Sequence, residues 1–117
     1  MQVNVLGTPY EIIVKKYDED EAFKDQECDG YCASATHKIV LCDLHSLDRW
    51  KNETEETIQA FAKQTLRHEI VHAFFNESGL IQNTNSVGAW AVNEEMVDWI
   101  ALQGVKICKA WQEANAI

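Results

Sequence analysis

The chain predicts an α+β fold: a small sheet, about three-stranded, packed on one long helix with a second helix beneath it. Three observations carry this expectation. Strand-like apolar runs fall in the first 43 residues, two long helical patterns fill the rest, and no strand signal returns after the first helix. Three tryptophans, Trp90, Trp99 and Trp111, sit in the second half, and their large surfaces call for a core there.

Composition bounds the problem before any motif is read. With 117 residues the chain has room for one domain (1–117) and one core. A hydrophobic share of 46% against 25% charged residues is ordinary for a soluble globular chain. The formal net charge of −9 and a pI near 4.8 argue against nucleic-acid binding, because no basic patch is present to displace counterions from phosphates. No apolar run reaches the roughly 20 residues needed to span a bilayer. The N-terminus also lacks a basic segment followed by an apolar one, so a cytoplasmic chain with no membrane partner is expected.

Val3 and Val5 alternate with polar residues, Gly7-Thr8-Pro9 carries turn chemistry, and Tyr10, Ile12, Ile13 and Val14 are aromatic or β-branched. A hairpin over Val3 to Val14 follows. The stretch from Asp18 to Asp29 is dense in Asp and Glu, with Ala22 and Phe23 its few apolar residues, and reads as a short surface helix or loop. Lys38-Ile39-Val40-Leu41-Cys42 is the strongest strand signal and the candidate edge strand for pairing with an extended peptide. Cys28, Cys32, Cys42 and Cys108 lack the paired close spacings of a structural zinc module and are expected as partly buried free thiols.

The longest helical pattern runs from Asn52 to Ser78. Asn52 is placed to cap it with Glu55 closing a capping box, and Gly79 followed by Leu80 reads as its stop. At about 100° per residue, Ile58, Phe61, Thr65, His68, Glu69 and His72 share one side. Within it stands Arg67-His68-Glu69-Ile70-Val71-His72, a His-Glu-x-x-His pattern. Positions i and i+4 face the same way, so both imidazoles can meet one metal ion while Glu69 acts as base toward a metal-activated water. Residues left unpaired on a buried stripe would each cost free energy, and a shared ion satisfies them together.

After a polar connection from Ile81 to Gly88, a last helix is expected from Ala89 or Asn93 to Trp111. Val97, Ile100, Ala101, Val105, Ile107 and Cys108 are its packing positions, and Gly104 weakens its middle by about 1 kcal/mol. This helix supplies Asn93-Glu94-Glu95-Met96-Val97-Asp98. Glu94 and Asp98 lie one turn apart, so Glu94 can ligate the metal while Asp98 accepts the second N–H of a ligand histidine. Glu95 is the alternative ligand, but it lacks the i+4 relation to Asp98.

The segments RHEIVHAFFNESGL and WAVNEEMVDWIALQ, with GYCASATHKIVL upstream, resemble gluzincin-type zinc peptidases, in particular small phage- and prophage-encoded metallopeptidases related to the ImmA/IrrE and SprT-like groups. The similarity spans Leu6 to Gln103. It implies a minimal zincin-like domain binding Zn²⁺ through His68, His72 and Glu94, with Glu69 as general base and a protein or peptide as substrate. Tyr31, His37 and His45 are candidates for stabilising the oxyanion of amide hydrolysis. A zinc-binding module without activity and an acidic interaction protein are the rival expectations. A structural site would close the metal with a fourth ligand and has no use for a base at Glu69.

Overall fold

The computed structural model describes residues 1–81, 93–115 and 117. The order of elements is β1 (Gln2–Val5), β2 (Thr8–Lys15), α1 (Ala22–Asp25), β3 (Gly30–Ala33), β4 (Lys38–Cys42), α2 (Glu55–Glu77) and α3 (Glu94–Glu113). The architecture is α+β. The sheet has four strands rather than three, in the order β1-β2-β4-β3. β1 and β2 are antiparallel, β2 and β4 parallel with Ile12 opposite Ile39, and β3 and β4 antiparallel with Gly30 opposite Leu41.

The expected hairpin is present, one residue out at its turn. Leu6 and Gly7 are the two loop residues, both with positive φ (51° and 93°), which matches the twist of the flanking strands. Pro9 lies within β2, opposite Asn4.

β4 is an interior strand. Ile39, Val40, Leu41 and Cys42 are all buried, because the sheet is covered on both faces, and a strand so placed reads as a continuous apolar run. That burial makes its strand signal strong and rules it out as an edge. The edge nearest the helices is β3, whose four residues beginning with glycine are too few to show a period.

α2 covers one face. Val5, Tyr10, Ile39, Leu41 and Ala73 form the core there, with Leu66 and Ile70 packed against it. The other face is covered by the acidic segment. Its short helix α1 and a 3-10 turn at Tyr17–Glu19 are held down by Phe23, which is 1% exposed and packs with Val40 and Cys42. Cys42 is buried, Cys28 and Cys32 are half-buried, and Cys108 is exposed.

α2 starts later than its sequence suggests. Thr54 is the cap, its hydroxyl accepting from Thr57 N–H at 3.2 Å, and Asn52 lies outside the helix. The stop is as expected: Gly79 has φ 80°, and the N–H groups of Gly79 and Leu80 reach back to the carbonyls of Asn76 and Phe75. The side carrying Phe61, Thr65, His68 and His72 is not a core stripe. Phe61 is 48% exposed and only Ile58 and Glu69 of that set are buried, while Leu66, Ile70 and Ala73 face the sheet. A 100° spacing groups residues on one side without saying which side meets the sheet.

α3 packs on α2, with Val97 and Ala101 buried and Arg67 Nε donating to the Ala101 carbonyl at 2.9 Å. Val105 and Cys108, expected to pack, are exposed. Trp99 is exposed too, since its side of α3 points away from α2. Trp90 lies outside the described residues, as do the side chain of Trp111 and all but Ile81 of the polar connection. None of the described helices is long and apolar enough to cross a membrane.

Candidate metal centre

Five of the candidate residues are presented by two helix segments that face each other. His68, Glu69 and His72 occupy the middle of α2, where the four-residue spacing, about one turn of helix, puts both imidazoles on one side. Asn93 caps α3, its side-chain oxygen accepting from Met96 N–H at 3.0 Å. This cap sets the first turn of α3 opposite the histidines, with Glu94 at the helix start and Asp98 one turn on.

Three donor atoms converge. His68 Nε2 and His72 Nε2 are 3.0 Å apart, and the Glu94 carboxylate lies 3.1 Å from the first and 3.4 Å from the second. Donors bound to one tetrahedral zinc at ~2.0–2.1 Å lie roughly 3.3 Å from one another, which is the spacing seen here. The group His68, His72 and Glu94 can therefore hold a metal ion. Glu95 does not belong to it.

Asp98 settles the chemistry of His68. Its carboxylate is 2.6 Å from Nδ1, so that nitrogen carries a proton and donates, and in the neutral ring the lone pair is on Nε2, which faces His72 and Glu94. Burial pushes His72 below its ordinary range, against the pull of Glu94, which favours the neutral imidazole that a metal requires. Lone pairs on His68, His72 and a carboxylate brought this close repel unless a cation or proton stands among them. Half-burial of both histidines makes that repulsion weigh more than it would in water.

Glu69 is buried, 5% exposed, with its nearest carboxylate oxygen 4.0 Å from His68 Nε2 and no hydrogen bond among the described residues. Burial raises it to about 7, opposed by His68 and helped by the charges of Glu94 and Asp98. It stands beside the donor group without belonging to it.

The group lies in an open cleft of about 750 Å³ between α2, the start of α3 and the β3 edge. Phe61, Gln64, Thr65, Gly30 and Cys32 line it, none of which the sequence marks as functional. β3 runs close to α2: a Cβ on Gly30 would stand 2.9 Å from Thr65 Cγ2 and 3.1 Å from both Leu41 Cδ2 and the Val40 carbonyl. Glycine before an apolar run was the available signal for this approach.

The three oxyanion candidates are engaged elsewhere. Tyr31 borders the cleft, but its hydroxyl donates to Asp20 at 2.6 Å, and burial together with that carboxylate pushes it up to about 12. His37 lies beside Glu77 (3.6 Å) and edge-on to Tyr10. His45 bridges Asp43 and Glu55 at 3.0 and 2.8 Å, and the bonds to these two carboxylates raise its pKa. Neither histidine lines the cleft.

Compared with models of protein families, with characterised proteins and with solved structures, the chain finds no match.

Proposed function

We propose that the chain is a small zinc-dependent metallopeptidase of minimal zincin-like form, carried by phages or prophages and acting in the host cytoplasm. The observation that carries this reading is the convergence of His68 Nε2, His72 Nε2 and the Glu94 carboxylate within 3.0–3.4 Å, with Asp98 holding His68 from behind. Two imidazoles and one carboxylate suit zinc, and three protein ligands beside an open cleft match a catalytic rather than a closed structural site.

When bound, the ion supplies Lewis acidity, lowering the pKa of a water and polarising the carbonyl of the bond to be cut. The remaining steps belong to the chain. Glu69 takes the proton of the attacking water and passes it to the leaving amine. Burial holds its carboxylate near 7, the range that suits a general base at neutral pH, and a dication held by His68, His72 and Glu94 would favour its ionised form. Asp98 keeps the His68 proton on Nδ1, so that Nε2 stays a donor of electrons throughout. An extended substrate lies along the β3 edge, which borders the cleft, in place of the interior strand β4.

Elemental mass spectrometry on protein purified without added metal tests the reading. About one zinc per chain is expected. Glu94→Ala should lose it and Glu95→Ala should keep it. Glu69→Gln should retain the metal while abolishing cleavage of a mixed peptide library. A wild-type chain that takes up no zinc even when supplied overturns the proposal.

A further inference from the structure

The walls of the cleft carry charge of one sign. Glu27, Asp29, Glu69, Glu94 and Asp98 line it, and no Lys or Arg does among the described residues. Four of the five have duties. Asp29 pairs with Arg49, Asp98 with His68 Nδ1, and Glu94 with both imidazoles. Glu69, the proposed base, lines the cleft, buried and without a hydrogen bond among the described residues, its carboxylate 4.0 Å from His68 Nε2. Glu27 is left over: it is exposed and has no ion-pair partner among the described residues. A divalent ion at the histidines offsets two charges and Arg49 offsets one, so the loaded cleft keeps a net charge of about −2.

We infer that the cleft selects polypeptide segments bearing Lys or Arg, and that Glu27 is the rim carboxylate that meets the cationic side chain. The inference rests on the peptidase reading for what enters the cleft, and it names the class of substrate. The fixed negative charge of a concave wall is focused into the opening, so a basic segment is drawn in, and an acidic one is opposed both by the wall and by the chain's overall −9.

The position of Glu27 supplies a clean variant. It closes α1 in the left-handed region, φ 49°, with Cys28 N–H returning to the Phe23 carbonyl at 3.3 Å. Asparagine adopts that conformation more readily than most residues, so Glu27→Asn removes the charge and keeps the turn.

The test uses full-length Glu69→Gln protein, which binds without cutting, and fluorescein-labelled peptides of equal length carrying Lys, Gln or Glu at alternate positions. Binding is followed by fluorescence anisotropy at low and high salt, with zinc content measured on the same samples. The Lys peptide should bind about fivefold or more tighter than the Gln peptide at low salt, with the Glu peptide weakest. Glu27→Asn should remove most of that preference, while Glu53→Gln, an equal loss of charge away from the cleft, should leave it intact. Equal binding of Lys and Gln peptides overturns the inference. So does an equal effect of Glu53→Gln, which would assign the preference to overall charge. Preference through Glu27 in a chain that holds no zinc would uphold the acidic cleft and sink the peptidase. Zinc without preference would do the reverse.

Discussion

At the scale of single residues, Glu69 is where burial and function pull against each other. A carboxylate with an ordinary value near 4.5 is raised to about 7 by desolvation, so the folded chain holds its proton more tightly than the unfolded chain. The metal-free protein therefore has the full benefit of this group below about pH 4.5 and loses it as pH rises through 7. The loss amounts to at most about 3 kcal/mol. His72, pushed the opposite way, contributes stability that falls as pH drops below its ordinary range, so the wild-type profile alone mixes the two. Urea titrations of wild-type and Glu69→Gln protein in chelator, from pH 4.5 to 8, separate them. The variant should gain on the wild type between about pH 4.5 and 7 and level off above that, and a constant difference would show that burial does not perturb Glu69. The roles of His68, Glu69 and His72 were legible as a motif because a helix fixes i and i+4 neighbours without outside help. The oxyanion candidates were not, since Tyr31, His37 and His45 each find a carboxylate partner distant in sequence or across a turn.

Among the elements, the close passage of β3 over α2 sets the width of the cleft. Gly30 is buried at that crossing, and any Cβ there meets Thr65 and β4 at once. Gly30→Ala should cost about 1–3 kcal/mol, because overpacking at a strand held on its other side by β4 can be relieved only by moving α2 or tilting the edge. Thermal melts check the cost. Pairing with Thr65→Ser, which removes the Cγ2 methyl, should recover much of it, whereas no recovery would place the strain on the Leu41 and Val40 side. α2 and the hairpin were readable because each carries its own signals, periodicity and a glycine stop in one and alternation around a turn in the other, although the cap fell on Thr54 instead of Asn52 and the turn one residue earlier than Gly7-Thr8-Pro9 suggests. β3 escaped notice because four residues hold barely two alternations, and its existence depends on pairing with β4.

Over the whole molecule, the site joins α2 to α3 across a gap of more than 20 residues in sequence, so metal binding and folding are one equilibrium. An ion that binds only the folded chain adds about 2.7 kcal/mol of stability when free zinc is a hundredfold above its dissociation constant. Zinc should therefore raise the melting temperature and chelator should return it, with Glu94→Ala showing no such response. A melting temperature indifferent to zinc in the wild type would mean the donors do not close on it. The α+β class, the long helices and the His-Glu-x-x-His face follow from local spacing, since hydrogen bonds within a helix or a hairpin specify them over a few residues. Where Glu94 and Asp98 stand relative to His68, which strand forms the edge, and that the histidine side of α2 walls a cleft instead of a core are long-range outcomes. They come from the burial of Val97, Ala101, Leu66, Ile70 and Phe23 against partners far along the chain, and no periodicity records which partner a face will meet.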